Sequence, residues 1–225
     1  MDSHNTQIRK KAFIFDMDGT LVDNMGYHAK AWMALFDSLG IHLLADDFQR
    51  RTAGKTNPEI LRKFTGRDLS SAEVQALSDQ KENIYRELYR PHLKTTPGLL
   101  PFLGKARELK IPMGLATAAG KENITFVLKG LQLEAFFNTI VGAEDIQNGK
   151  PDPEIFLKTA NGLNIPPEDC IVFEDSFLGI EAACRAGMRA VFITTSHLAN
   201  ELKNPTAVLL SIPDFSALDL AILLK

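Results

Sequence analysis

Short apolar runs alternate with amphipathic stretches along most of the chain. The apolar runs are rich in β-branched and aromatic residues, which favours strands that are buried on both faces. Six of them are predicted as strands: 12–16, 112–117, 139–141, 170–173, 189–193 and 207–210. Helical periodicity lies between them at 98–109, 121–128, 153–161 and 179–186. Because strand, helix, strand alternation is typical of crossover connections, we expect an α/β fold with a Rossmann-like, doubly wound parallel sheet.

One long segment interrupts this alternation. Between Met25 and Thr95 no convincing strand is present, and helical patterns occur at 27–39, 58–64 and 71–89. The first pattern ends at Gly40, and the second begins with Pro58 in a first-turn position. We therefore predict an all-helical cap domain, residues 25–95, inserted into an α/β catalytic core formed by residues 1–24 and 96–225.

Charge and hydropathy limit the classes of function. The chain has 25 basic and 28 acidic residues and a net charge of −3, which argues against nucleic acid as a partner. Its longest apolar run, from Ala31 to Phe36, is far shorter than the roughly 20 residues that a membrane-spanning helix needs. The polar N-terminus precedes an apolar stretch that is too short for a secretory signal. We expect a cytoplasmic monomer that binds neither nucleic acid nor membrane.

The two cysteines indicate neither a metal site nor a disulfide framework. Cys170 and Cys184 have neither the spacing of a metal site nor the number that a disulfide framework needs. The usual behaviour of free cysteine predicts that both are buried, reduced and structural.

Two carboxylates follow the first predicted strand. Asp16 and Asp18 lie in the run Asp-Met-Asp-Gly-Thr, at the carboxyl end of the strand, where a parallel sheet opens into a ligand crevice. An acidic turn that ends the strand is the alternative interpretation. Two carboxylates at this spacing can bind a hard cation, and one of them can also act as a nucleophile or an acid.

Three further segments place polar side chains where the same crevice needs them. Thr117 follows the second core strand and precedes the helix at Lys121, which is typical of a phosphate site, although a helix-capping threonine explains it as well. Lys150 stands in Gly-Lys-Pro-Asp-Pro, where it is either a fixed cation or an ordinary loop lysine. Glu174 and Asp175 end another strand, and adjacent carboxylates repel each other unless a cation is close.

The order of these motifs, with a helical insert after the first, resembles the haloacid dehalogenase superfamily over residues 12 to about 195. The insert position, Tyr27-His28 and Glu174-Asp175-Ser176 resemble its β-phosphoglucomutase-like group of small phosphatases and mutases. The resemblance implies Mg²⁺-dependent phosphoryl transfer through an aspartyl-phosphate.

The resemblance also implies roles for the acidic residues. Asp16 is the nucleophile and a Mg²⁺ ligand. Asp18 gives its backbone carbonyl to the metal, and its side chain protonates the leaving oxygen and later deprotonates water. Asp175 completes the metal site, with Glu174 as a direct or water-mediated ligand.

The phosphate itself is expected to contact the other core motifs. Lys150 neutralises the negative charge of the phosphate, because that charge would otherwise repel an anionic nucleophile. Thr117 and the amide of Ala118 hold the transferring oxygens, and Lys121 is a further substrate-binding candidate.

Substrate choice is expected to lie in the insert. Residues 50–67 carry six basic side chains and one acidic side chain, a surplus that attracts an anionic substrate, although a solvated helix face explains most of them. Lys55 beside Gly54 is the best candidate, and Arg51 and His28 are further ones.

The expected activity is hydrolysis of small phosphorylated metabolites, with a sugar-phosphate mutase as the alternative. In the β-phosphoglucomutase pattern the cap loop carries a lysine just before a glycine and an arginine three residues after it. Ala53 and Asn57 stand at the matching positions around Gly54, so both cations are missing unless Lys55 or Arg51 replaces them. His28 matches the mutase-like pattern, but one histidine does not replace two cationic side chains that bind a second phosphate.

Three other functions are less favoured. A pyrophosphatase and a non-catalytic phosphate-binding protein both suit the same phosphate-binding motifs. A signalling receiver joins a parallel sheet to a phosphorylated aspartate, but it has no helical insert after its first strand, and its aspartate ends a later strand.

Overall fold

The computed structural model describes residues 11–44, 57–202 and 205–224. The chain divides into two compact units. The core unit comprises Met1–Asp23 and Thr95–Lys225, and the cap unit comprises Asn24–Lys94.

Within the described residues, the core unit is organised by one six-stranded sheet. Its strands are β1 Ala12–Phe15, β2 Met113–Ala116, β3 Thr139–Val141, β4 Cys170–Glu174, β5 Arg189–Ile193 and β6 Val208–Ile212. The strand order is β3-β2-β1-β4-β5-β6, and all neighbouring strands are parallel. The chain reverses its direction of travel across the sheet between β1 and β4, which is where α/β sheets bind their ligands. The predicted doubly wound α/β class is confirmed.

Helices occupy the intervals between the strands and the inserted segment. In chain order the described α-helices are α1 Met25–Ser38, α2 Asn57–Thr65, α3 Ser71–Tyr89, α4 Leu99–Glu108, α5 Lys121–Gly130, α6 Glu154–Leu163, α7 Phe177–Arg185 and α8 Leu220–Leu223. None of the helices in the described ranges is long and apolar enough to cross a membrane.

The central strand β1 shows how a continuous apolar run builds two packed faces. Its side chains alternate between the faces of the sheet, and every one of them is buried. Ile14 packs among residues of α6 and α7. Phe13 and Phe15 point to the opposite face, into an aromatic cluster that also contains Phe102, Phe137, Phe173 and Phe215. Helices therefore cover one face of β1 and aromatic rings cover the other, and this packing fixes the position of the end of the strand.

The cap unit has its own core in the part of the chain that the structure describes. Helices α1, α2 and α3 bury an apolar cluster made of Trp32, Leu35, Phe36, Ile60, Leu61 and Leu69. Helix α3 begins with a capping box, in which the Glu73 amide donates to Ser70 Oγ at 3.3 Å and the Ser70 amide donates to Glu73 Oε2 at 2.9 Å.

The two ends of the inserted segment are joined on the core side. The Thr96 amide donates to the Leu21 carbonyl at 2.9 Å, and Thr96 Oγ1 donates to the Thr20 carbonyl at 2.7 Å. All three residues are buried. The chain therefore leaves the core and returns to it at a single, hydrogen-bonded point.

Helix α7 differs from its prediction in two respects. It begins two residues earlier than expected, because Ser176 is the N-cap and its Oγ accepts from the Gly179 amide at 3.0 Å. Cys170 is buried as predicted, but the prediction for Cys184 is wrong, since this side chain is exposed. The helix buries its opposite face, which contains Gly179, Ile180, Ala182 and Ala183.

Candidate active site

Four charged side chains meet at the carboxyl ends of β1 and β4. Lys150 Nζ donates to Asp16 Oδ1 at 2.6 Å and to Glu174 Oε1 at 2.5 Å. One carboxylate oxygen from each of Asp16, Glu174 and Asp175 lies within 4.8 Å of the others. All three carboxylates are buried, and the Lys150 side chain is only 10% exposed. We call these four residues the charged cluster.

The register of the sheet brings the charged cluster together. Residues 12–15 of β1 pair in parallel with residues 170–173 of β4. The Asp16 amide extends this ladder by donating to the Phe173 carbonyl at 2.9 Å. Glu174 ends β4 and Asp175 follows it, so the acidic residues of both strands lie on the same edge of the sheet.

Burial perturbs the ionisation of the cluster. It raises the pKa of Asp16 to about 7, a rise that the Lys150 ammonium opposes and that the carboxylates of Glu174 and Asp18 increase. It also raises the pKa of Asp175, and repulsion from Glu174 and Asp16 adds to this effect. Burial by itself lowers the pKa of Lys150, but the attraction of Asp16 and Glu174 is larger in sum and raises it. Lys150 is therefore a permanent cation.

The residues of the cluster fit a divalent cation. When all three carboxylates are ionised, the charged cluster has a net charge of −2 in a space with little solvent. Mg²⁺ prefers oxygen ligands, above all a few carboxylates supplemented by waters, and its charge would offset the burial and the repulsion that raise the pKa values of Asp16 and Asp175. Asp16, Glu174 and Asp175 would hold the ion with their side chains. The carboxylate of Asp18 is not one of these three, and the family resemblance gives the metal only its backbone carbonyl.

Two glycines allow the carboxylates to approach the backbone closely. Gly19 has a φ of +81°, and a Cβ built on it would lie 2.0 Å from Asp175 Oδ2. A Cβ on Gly179 in α7 would lie 1.8 Å from Glu174 Oε1. Since no side chain fits at these distances, both positions require glycine for the carboxylates to stay where they are.

Thr117 lies at the carboxyl end of β2, next to β1 in the sheet. It is 1% exposed, and its Oγ1 accepts from the Ala119 amide at 3.1 Å. With this bond made, the hydroxyl proton can be donated to an anion. The helix α5 has Gly120 as its N-cap, so the alternative that Thr117 caps the helix is wrong.

The other two candidates of this loop differ from Thr117. Ala118 is exposed, and so is Lys121. The Lys121 amide donates to Glu144 Oε1 at 3.1 Å, so the first turn of α5 already has an anionic partner from its own chain.

In the cap unit, His28 of α1 contacts a buried lysine of α3. Lys81 Nζ lies 2.8 Å from His28 Nδ1 and 2.8 Å from Glu82 Oε1, and the His28 ring stacks on Tyr85 with centroids 3.8 Å apart. An ammonium only donates, so Nδ1 accepts and the ring proton is assigned to Nε2. The sequence pattern does not reveal Lys81, because α3 is rich in charged surface residues.

The remaining cap candidates, Arg51, Gly54 and Lys55, lie outside the described residues. Their roles stay predictions that rest on the sequence.

Two residues that the motifs do not include support the cluster from the end of β5. Ser196 Oγ donates to Asp175 Oδ2, and Thr195 Oγ1 donates to the Gly19 carbonyl at 2.5 Å. A signal for them exists in the sequence, since polar residues directly follow a predicted buried strand, as Asp16 and Asp175 do.

A family comparison agrees with this geometry. The model of the haloacid dehalogenase-like hydrolase family matches residues 13–193, a range that contains the whole charged cluster. The chain belongs to this family. The superfamily resemblance derived from the motifs is therefore confirmed.

Individual relatives within the haloacid dehalogenase-like hydrolases cover most of the chain. A "phosphorylated carbohydrates phosphatase" of Thermotoga maritima is 32% identical over 81% of this chain and 84% of that protein. A β-phosphoglucomutase of Bacillus subtilis is 35% identical over 80% of this chain and 82% of that protein. The crystal structure of a HAD hydrolase, family IA, variant 3 from Entamoeba histolytica superposes with a TM-score of 0.89 at 27% identity, covering 95% of this chain and 97% of that one. The relatives thus include both a phosphatase and a mutase.

Proposed function

We propose that this protein is a Mg²⁺-dependent phosphohydrolase of small phosphorylated metabolites that acts through an aspartyl-phosphate on Asp16. The observation that carries the proposal is the position of Lys150 Nζ, which spans Asp16 and Glu174 inside a cluster of buried carboxylates. A structural ion pair needs one carboxylate, whereas three carboxylates around one lysine suit a site that receives further positive charge. The phosphatase among the relatives supports the same activity.

In the first step an Asp16 oxygen attacks phosphorus and the bond from phosphorus to the leaving oxygen breaks. Asp18 gives a proton to the leaving oxygen, so the alcohol departs neutral. Lys150 neutralises the phosphoryl oxygens, which would otherwise repel the carboxylate nucleophile, and a Mg²⁺ ion held by Asp16, Glu174 and Asp175 would supply further positive charge there. Thr117 donates its hydroxyl proton to one of these oxygens.

In the second step water attacks the phosphorus of the aspartyl-phosphate. Asp18 is now deprotonated and takes a proton from this water, and the Asp16 carboxylate is released together with inorganic phosphate. Proton and charge balance are restored, because the proton that left Asp18 in the first step is replaced in the second.

We assign substrate choice to the inserted segment and chemistry to the core unit. The core residues described above serve any phosphate ester, so they do not distinguish one metabolite from another. In the cap unit, Lys81 contacts His28, whose ring stacks on Tyr85, so polar and aromatic groups lie side by side there. The basic residues at 50–67 add positive charge to the same segment of the chain.

The test is a phosphate-release screen at fixed Mg²⁺ over sugar phosphates, phosphoglycolate, nucleotides and pyrophosphate. Two variants accompany the wild type: Asp16→Asn, and the matched control Asp79→Asn, which makes the same change at an exposed position of α3. The proposal expects turnover of at least one monoester by the wild type and the control, and none by Asp16→Asn. Turnover by Asp16→Asn above a few per cent of wild type, or wild-type turnover that persists in excess chelator, would contradict the proposal.

A mutase is the second candidate, favoured by the β-phosphoglucomutase relative and by His28. The two activities separate when enzyme and Mg²⁺ are incubated with β-glucose 1-phosphate and a trace of the bisphosphate. We expect inorganic phosphate to exceed glucose 6-phosphate, because the matching cap positions carry Ala53 and Asn57 in place of two cations. Faster accumulation of glucose 6-phosphate would favour the mutase, and Lys55 and Arg51 would then be the first residues to replace.

A further inference from the structure

The loop that carries Lys150 is fastened by a carboxylate of the helix that follows it. Glu154, the first residue of α6, directs one oxygen to two consecutive backbone amides. Glu154 Oε2 accepts from the Gln147 amide at 3.0 Å and from the Asn148 amide at 2.9 Å. Lys150 lies between these amides and Glu154 in the chain, so the carboxylate closes a small ring around the loop.

A second contact from α6 strengthens this fastening. Lys158 Nζ lies 2.7 Å from Glu154 Oε1 and donates to the Asp145 carbonyl at 2.6 Å. Together, Glu154 and Lys158 hold three backbone groups of segment 145–148. The Lys158 hydrogen bond, with the two amides, lowers the pKa of Glu154 to about 2, so the carboxylate is ionised near neutral pH.

The position of Lys150 Nζ depends on the loop backbone. Its contacts of 2.6 Å and 2.5 Å lie on two carboxylates at once, so a shift of the loop backbone either changes these contacts or forces the side chain into another conformation. A displacement of about 1 Å would lengthen either contact beyond hydrogen-bond range. The lysine stem is long and flexible, and it does not by itself select this one geometry.

We propose that Glu154 is a positioning residue for Lys150, acting through the amides of Gln147 and Asn148. This inference rests on the proposed function, because it assigns Glu154 to the phosphoryl-transfer reaction in which Lys150 takes part. The carboxylate belongs to α6, a helix packed on the sheet, so it transmits the rigidity of the core to residues 146–153, which form neither a strand nor a helix.

The test compares Glu154→Ala with the isosteric Glu154→Gln. The amide oxygen of glutamine still accepts from both loop amides, whereas alanine accepts from neither. We expect Glu154→Ala to lower kcat by about 10- to 100-fold, with a smaller change in KM, as is typical when a group that orients an active-site residue is lost. Glu154→Gln should stay within about threefold of the wild type, the range left by the lost ion pair with Lys158.

Helix α7 offers a matched control. Glu181 pairs with Arg185 at 2.5 Å, an i,i+4 pair like that of Glu154 and Lys158, on the surface of the helix. Glu181→Ala removes the same kind of ion pair without touching the catalytic loop and should leave kcat unchanged. Equal losses in Glu181→Ala and Glu154→Ala would overturn the proposal.

A double-mutant comparison shows whether Glu154 acts through Lys150. The readout is the affinity for inorganic phosphate at saturating Mg²⁺, measured by titration calorimetry in wild type, Glu154→Ala, Lys150→Ala and the double variant. We expect Glu154→Ala to weaken phosphate binding when Lys150 is present and to have no effect when it is absent. Equal weakening in both backgrounds would mean a general structural role and would overturn the proposal.

The calorimetric readout also separates the two hypotheses. If the wild type binds phosphate but hydrolyses no ester, the proposed function fails, and the positioning role is judged by the same four affinities. If the wild type hydrolyses esters and Glu154→Ala does so at the same rate, the proposed function stands and the positioning role fails.

Discussion

Replacing Gly179 by alanine adds one methyl group directly against the charged cluster. A Cβ at this position would lie 1.8 Å from Glu174 Oε1 and 2.0 Å from its Cδ. Real Cβ contacts essentially never fall below 3.0 Å, so the carboxylate must move by at least about 1.2 Å. Glu174 Oε2 also accepts from the Ser176 amide at 2.6 Å, a bond that the same movement strains.

The size of the effect follows from what Glu174 contacts. A shift of this size away from Lys150 would stretch the 2.5 Å contact to about 3.7 Å, beyond the range of a hydrogen bond. A charge-assisted hydrogen bond contributes about 1.5–3 kcal/mol, and a misplacement of about 1 Å in an active site costs about 100-fold in rate. We therefore expect Gly179→Ala to lower kcat/KM by about 100-fold and to raise the Mg²⁺ concentration that gives half-maximal activity.

The matched control is Gly104→Ala in α4. Gly104 is also a helical glycine, but nothing lies within 4 Å of the Cβ that alanine would add. This substitution should stabilise the fold by up to about 1 kcal/mol, the helix propensity difference, and leave activity unchanged. Calorimetric melting of both variants separates a local effect from unfolding.

The measurement is phosphate release as a function of Mg²⁺ concentration, on whichever ester the screen identifies. Wild-type kcat and Mg²⁺ requirement in a folded Gly179→Ala protein would refute the reasoning, because Glu174 would then not need its observed place. A fall in activity of the same size in Gly104→Ala would refute it equally.

Four other outcomes are expected. Asp16→Asn should lose activity because an amide forms no acyl phosphate, and residual turnover above a few per cent of wild type would exclude Asp16 as nucleophile. Asp18→Asn should bind Mg²⁺ normally in a calorimetric titration yet turn over slowly, and loss of metal binding with normal chemistry would contradict its acid–base role. The metal-free pKa of Asp16 is about 7 against an ordinary 3.8, so its contribution to stability is complete below pH 4 and lost as pH rises through 7. Mg²⁺ should therefore raise Tm more at pH 8 than at pH 6, and an equal shift at both would contradict this pKa. Ca²⁺ should inhibit, since its longer bonds misplace the attacking carboxylate, and equal rates with both ions would count against that geometry.

Strand ends made the charged cluster predictable from the sequence. The runs 12–15 and 170–173 are apolar at every position, which is the pattern of strands covered on both sides. Once they are taken as parallel neighbours, the acidic residues that follow them must share one edge of the sheet. The structure brings Asp16, Glu174 and Asp175 together there, with Lys150 among them.

Contacts made by ordinary polar residues were not predictable in the same way. Glu154 accepts from backbone amides, and Ser196 donates to one carboxylate. Which group each side chain contacts depends on the loop conformation, and no periodicity in the sequence encodes that conformation. Lys81 is 3% exposed although it lies on a helix rich in charges, and its ammonium lies over the rings of Trp32 and Tyr85. The need for glycine at position 179 becomes visible only when the path of Glu174 is known.

The hydrogen bonds of Thr96 to Thr20 and Leu21 have a consequence for how such a protein diversifies. Within the core unit, the inserted segment acts as a loop whose two ends are hydrogen-bonded to each other. The entropic cost of closing such a loop grows only slowly with its length. Lengthening, shortening or exchanging the segment therefore has little effect on the free energy of assembling β1 beside β2. Evolution can therefore vary the inserted segment, to which we assign substrate choice, while the residues at the sheet edge stay in place, in the same way that domains tolerate insertion where two chain ends lie together.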